Sequence, residues 1–326
     1  MKANIDLDPI TAHGWALGRE LRKALVVAGF SQAQLAEKLG FSESRLSRII
    51  TGKLDATSEE VAAVLALCGV VGERRDFLVR MTRERSMAAW DKQEQLTVLR
   101  SLRRDASRIV EYSAVMLPEL LWTDDYAEVV AAWTVNTSAG TVPGLVGTVS
   151  SDRAMLHRNR APQYFAILSE AVLRLRVGST QTMAAQLRHL VEESKQHNIT
   201  IRVVPTGMGA HTGMRGSFCL VERPDLTLAT VEDVLGVGFV DNPSGVSVYC
   251  GIADGLRSVA LTPAASRNLI SRIAAECGRA DEDNPDDDRD RDLDELMAAD
   301  SIGEAPAPSG VVPAGRGSAR STGGRQ

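Results

Sequence analysis

No run of eighteen or more apolar residues and no secretory apolar segment occurs in the 326 residues, so neither a membrane span nor export is expected, and the chain reads as cytoplasmic. The four cysteines, Cys68, Cys219, Cys250 and Cys277, are scattered without metal-ligand spacing and have only five histidines to partner them. They are expected to be reduced and structural, with no metal. Walker spacing is missing too, and Gly207, Gly209 and Gly213 have the wrong last interval for a dinucleotide fingerprint, so no cofactor is expected. A net charge of −5 argues against a nucleic-acid partner only if it is spread evenly. It is not: from Arg19 to Lys53 seven basic residues stand against three acidic ones, while Asp281 to Asp294 is dominated by aspartate. That acidic run continues into a Gly, Pro and Ser-rich end, a composition that cannot bury enough apolar surface to offset ordering entropy, so residues 279–326 are expected to be a disordered tail.

What is present is concentrated in SQAQLAEKLGFSESRLSRIITGK, Ser31 to Lys53. Ser31 and Gln34 have the spacing of a capping box, Ser42 is placed to cap a second helix, and Gly40 supplies the break between the two. Ala33, Leu35, Ala36 and Leu39 on the first helix and Leu46 and Ile49 on the second can face inward. Three further helices are expected at Leu17 to Ala28, Ser58 to Cys68 (capped by Thr57 with Glu60) and Glu73 to about Arg85. The pattern is that of a DNA-reading helix-turn-helix; the bland alternative is an amphipathic hairpin with no DNA role.

These residues resemble the helix-turn-helix domain of the lambda-repressor-like, or Xre (cro/C1-type), family: a Gln32 to Ala36 helix, the Gly40 turn, and a Ser47 to Ile49 recognition helix ending in Gly52 and Lys53. Ile50 departs from that pattern, where the family often carries an acidic or aromatic residue. The resemblance implies a five-helix domain and a double-stranded DNA operator as partner. The N-terminal half of the second reader helix would enter the major groove, which puts Glu43, Ser44, Arg45 and Arg48 nearest the bases. Gln32, at the start of the first reader helix, would meet a phosphate, with Lys53, Arg22 and Lys23 adding backbone attraction. For any one of the basic residues a solvated surface charge is the competing reading.

Between the two halves, Leu99, Leu102, Ala106, Ile109, Ser113 and Met116 follow a three-four spacing, a short heptad-like seam open either to a second chain or to the following domain. A homodimer is expected on separate grounds, because a module of this size gains affinity by occupying two half-sites. The second half resembles the C-terminal domain of unknown function of WhiJ-like, in part antitoxin-like, actinobacterial regulators, through EYSAVMLPELLWTDDYAEVV, ILSEAVLRLRVGSTQTMAAQLRHLVE and ITIRVVPTGMGAHTGMRGSF. Glu119 and Trp122 stand where that family commonly has glycine and glutamine.

Read from its own residues, this half is α+β. Strands are expected at Val172 to Val177, Ile199 to Val204, Ser217 to Glu222, Leu226 to Val231 and Val237 to Val240. Helices are expected at Thr180 to Gln196, Val246 to Val259 and, capped by Thr262, Pro263 to Glu276. The expected order is an N-terminal extension (1–15), a helix-turn-helix domain (16–85), a helical linker (86–110), an effector or partner domain (111–278) and the tail. The loop Pro205 to Gly216, four glycines around His211 and Arg215, is the candidate ligand or partner site. Three roles stay open: a regulator whose C-terminal domain receives a partner protein or small molecule, an antitoxin-like protein that neutralises a small partner, and a DNA-tethered enzyme in which His211 works with Glu170, Glu222, Glu232 or Asp233. With no catalytic constellation fixed by the sequence, a non-enzymatic role is expected.

Overall fold

The computed structural model describes residues 10–83, 92–134, 142–233 and 236–283. The aspartate-rich run beyond residue 283 and the Gly, Pro and Ser-rich end lie outside the described residues. Five helices form the N-terminal region: α1 (Ala12–Val27), α2 (Gln32–Leu39), α3 (Glu43–Ile50), α4 (Ser58–Leu67) and α5 (Glu73–Arg83). α1 starts five residues earlier than its apolar pattern indicated, because Thr11 caps it by accepting from the Gly14 N–H. Leu21, Leu35, Leu46, Leu65 and Leu78 meet in the core with almost no exposure. Ile50, 2 % exposed, packs there as well, so its side chain is a core group. Ala33, expected to face inward, is exposed. It lies two positions before Leu35, which on a helix is the opposite side.

The second region begins with α6 (Lys92–Arg104) and β1 (Arg108–Ser113). The heptad-like spacing therefore does not run along one helix. Leu99 and Leu102 are buried on α6, Ile109 and Ser113 lie in the strand, and Met116 is exposed beyond it. The chain leaves the helix after Arg104 because Ser107 is captured by the sheet, donating its N–H to the Glu222 carbonyl at 2.9 Å. Next come α7 (Asp124–Thr134), α8 (Val142–Arg153), β2 (Gln163–Ser169) and α9 (Glu170–Arg174). The strand expected at Val172 to Val177 is displaced upstream to β2. Ser169 caps a short helix instead, accepting from the Ala171 N–H, and buries Val172 and Leu173 from it.

α10 (Thr180–Glu193), β3 (Ile199–Val204), β4 (Phe218–Glu222), β5 (Thr227–Glu232), β6 (Val237–Val240), α11 (Pro243–Val259) and α12 (Pro263–Asp283) complete the order. The sheet runs β3-β2-β1-β4-β5-β6, with β1, β2 and β3 parallel and the remaining pairs antiparallel. Both faces are covered. Ile109, Tyr164, Leu168, Ile201, Val221 and Leu228 pack into the larger core, while Val110, Tyr112, Phe218, Leu220 and Ala229 meet Ala253 and Leu256 of α11 on the other side.

Charge is buried on the first of these faces. Arg103, 3 % exposed, reaches Glu232 at 3.2 Å, Glu111 at 3.6 Å and Glu119 at 3.7 Å. Tyr164 donates its hydroxyl to Glu111 at 2.7 Å. Burial pushes the Glu111 and Glu119 carboxyls above the usual carboxylate range, against the pull of Arg103. Burial likewise lifts the neighbouring Cys219 thiol to about 12, which makes it an inert structural cysteine.

Polar contacts among the described residues tie the two regions together. The Ala12 N–H, at the start of α1, donates to Asp241 at 2.8 Å. Asp105, at the end of α6, is shared by Arg19 of α1 at 3.5 Å and Arg223 at 3.6 Å, and the guanidiniums of both arginines lie over the Trp15 ring. Arg80 of α5 pairs with Glu94 of α6 at 2.7 Å.

Candidate nucleic-acid interface

The turn between α2 and α3 follows from its sequence. Ser31 and Gln34 satisfy each other's backbone donors in a full capping box at the start of α2. Gly40 ends that helix in the left-handed conformation, φ 67°, and Ser42 then caps α3 through the Arg45 N–H. α3 is held by backbone packing that the sequence reading missed. A Cβ on Gly18 would lie 2.8 Å from the Ile50 carbonyl oxygen, and one on Gly52 would lie 2.7 Å from Gly14. Gly14 and Gly18, one turn apart on α1, thus let that helix rest directly on the end of the recognition helix. Their i, i+4 spacing was the available signal. Arg22 donates to the Ile50 carbonyl at 3.3 Å, closing the same helix end.

Of the four base-facing candidates, Glu43 and Ser44 are exposed on the first turn of α3. Arg48 is half-buried, and its buried Nε has no hydrogen-bond partner among the described residues. Arg45 is engaged within the domain: its Nε and Nη2 both donate to Glu60 of α4, at 2.9 and 2.6 Å, and its guanidinium lies over Phe41. Among the phosphate candidates Gln32 is the first residue of α2 and half-buried, Lys53 is exposed just past α3, and Lys23 pairs with Glu20 at 2.5 Å. α2 and α3 thus bring Gln32, Glu43, Ser44, Arg48 and Lys53 onto one supersecondary unit, while Arg22 and Lys23 stand on α1.

The glycine-rich loop is more built than its composition suggests. It forms two short 3-10 turns, Thr206–Met208 and Thr212–Arg215. The first is pinned by Glu170, which accepts the Thr206 N–H at 3.0 Å; that bond holds the Glu170 carboxyl below the usual range. The second rests on α11 through Thr212, which donates to the Ile252 carbonyl at 3.1 Å, and Gly213 abuts the Tyr112 ring. His211 accepts the Gly213 N–H through Nδ1 at 3.2 Å and meets Tyr112 edge-on. Of its suggested acidic helpers, Glu170 bonds the loop backbone at Thr206 and pairs with Arg174, while Glu222 pairs with Arg108 and Glu232 with Arg103. Arg215 is exposed, as are Met208 and Met214.

Among the described residues no helix is long and apolar enough to cross a membrane, and no group of three His, Cys, Asp or Glu side chains could hold a metal ion. The fold and the capped turn define a helix-turn-helix protein with a C-terminal α+β domain. Comparison with family models agrees on both parts: residues 16–78 match a helix-turn-helix domain, and residues 96–272 match a domain of unknown function, DUF5753. The second match covers more than half of the chain, which therefore belongs to the DUF5753 family. Searches of curated proteins and of solved structures find no match.

Proposed function

We propose that this protein is a cytoplasmic bacterial transcriptional regulator of the lambda-repressor-like (Xre) kind that binds an operator as a homodimer. The observation that carries this reading is the capped α2-turn-α3 unit inside a segment matching a helix-turn-helix domain, with Glu43 and Ser44 exposed and the Arg48 Nε without a hydrogen-bond partner among the described residues. In this reading Arg48 reads guanine, Ser44 and Glu43 contact neighbouring base edges, and Glu60 steers Arg45. Gln32, at a helix N-terminus, and Lys53 hold the phosphates, with Arg22 and Lys23 adding attraction nearby.

The C-terminal domain acts as the receiving half, in the manner of WhiJ-like and antitoxin-like regulators, taking up a partner protein or a small molecule at the 205–216 loop. The exposed Met208 and Met214 beside His211 and Arg215 support that role. No enzymatic step is assigned to His211, whose bonded contacts are the Gly213 N–H and the Tyr112 ring edge.

Genome-wide recovery of bound DNA with the native protein and with Arg48→Ala tests the proposal. The native protein should enrich a short palindrome, and the variant should lose about 1–3 kcal/mol of discrimination at one base position per half-site. Unchanged base preference in the variant would remove Arg48 from the reading set. Absence of any enriched sequence with the folded native protein would remove the regulator reading itself.

A further inference from the structure

The N-terminal edge of the parallel strands carries a charge excess that the helix-turn-helix does not account for. From Arg153 to Ser169 the chain holds three arginines and a histidine and no acidic residue. Arg158 and Arg160 are exposed, and neither has a carboxylate partner among the described residues. Arg158 is nonetheless fixed: its Nε donates to the Arg160 carbonyl at 3.2 Å and its Nη2 to the Arg104 carbonyl, which leaves Nη1 and its two N–H groups unspent. The Arg104 side chain is half-exposed, 3.7 Å from an Asp152 that Arg100 already holds at 3.0 Å. Arg153 is paired with Asp124 and His157 with Glu193, and Asp105 and Asp152 are each shared between two arginines, so the positive excess here is that of Arg158 and Arg160 with Arg104 beside them.

Its position gives this charge a partner. Asp105, next to Arg104, is the residue that Arg19 of α1 reaches, and Gly18, beside Arg19, rests on the last carbonyls of α3. α1 therefore bridges the two: its Gly18 meets the end of the recognition helix and its Arg19 meets the corner at Asp105. We propose that Arg104, Arg158 and Arg160 bind the phosphodiester backbone of the duplex flanking the half-site, so that the C-terminal domain is itself a DNA-contacting surface. The inference rests on the DNA-reading role of α3 and extends it to a second, sequence-independent contact.

The test compares the full-length native protein with Arg158→Ala/Arg160→Ala on two random-sequence duplexes, one of about one and a half helical turns and one of about three, across a salt series. On the long duplex the double variant should lose about two from the slope of log affinity against log salt, since each phosphate contact contributes about 0.9. On the short duplex the two proteins should agree, while Lys53→Ala should flatten the slope on both. Circular dichroism checks the fold, and Arg158→Lys/Arg160→Lys, which keeps the charge, should restore most of the slope. Equal slopes for native and double variant on the long duplex overturn the proposal, and so does an equal loss on both duplexes, which would move these arginines into the half-site. If the native protein shows no salt-dependent binding to either duplex, the DNA reading falls and takes the flanking contact with it.

Discussion

The two regions bury polar groups in opposite ways. Around α3 the fold is closed by leucines, by side-chain caps and by a glycine-lined contact of backbone on backbone, without an ion pair in the core among the described residues. The sheet region instead sinks a guanidinium among three carboxylates and a tyrosine hydroxyl. A small helical module can fix its geometry by close approach, because two helices need only one line of small residues to settle their distance. A sheet covered on both faces has many apolar registers of similar energy. A buried charged network that is satisfied in a single arrangement is a device for selecting one of them, and we hold that as the role of Arg103 here.

The largest effect that would break this contrast is expected from Arg103→Met. It leaves Glu111 buried and Glu119 half-buried without their cation and should cost about 3–5 kcal/mol in chemical denaturation. Adding Glu111→Leu should recover part of that loss; a single variant with an unchanged midpoint would show that the network is incidental. Next in size is Gly52→Ala, which puts a Cβ at φ 73° and 2.7 Å from Gly14. About 1–3 kcal/mol of stability should go, and DNA affinity should fall because the end of α3 is pushed off α1. An unaltered melting temperature and affinity would mean that the helices separate freely.

The smallest effect concerns pH and sharpens the polar side of the comparison. His189 on α10 faces Glu193, Arg153, His157 and Asp124, and burial holds its folded pKa below the ordinary 6.5. Between the folded value and 6.5 the unfolded chain therefore binds the extra proton. The His189 contribution makes stability rise with pH up to about 6.5 and level off above it. His189→Asn should flatten that rise in denaturation midpoints measured along a pH series, and an unchanged profile would assign the slope to other groups.

Local chemistry was legible in the sequence. The capping residues Ser31, Ser42, Thr57 and Thr262 act as their spacing indicated, and β3 and β6 coincide with the runs read from residues alone. Long-range competition was not. Arg108 to Ser113 continues the apolar spacing of α6, and only pairing with β2 and β4 makes it a strand. Val172 to Val177 is β-rich in composition, yet the Ser169 cap and the end of β2 decide its first half, to Arg174, locally as a helix. The same division holds at the site. The exposed α3 residues followed from helix phase, whereas the bond from Arg45 to Glu60 and the seat of α3 on Gly14 and Gly18 depend on how separate helices meet.

Trp15 lies beneath two guanidiniums, one from its own helix and one from the sheet side, and both cations close on Asp105. Under the proposed function that stack would act as a clutch plate between the reading head and the body. The heading of α3 would then be set by the body, and in the proposed dimer the phase between the two heads along the groove would be set by how the bodies meet. A ligand that turned the sheet edge by a small angle would leave the reading surface chemically unchanged and put the two heads out of step with the turn of the double helix.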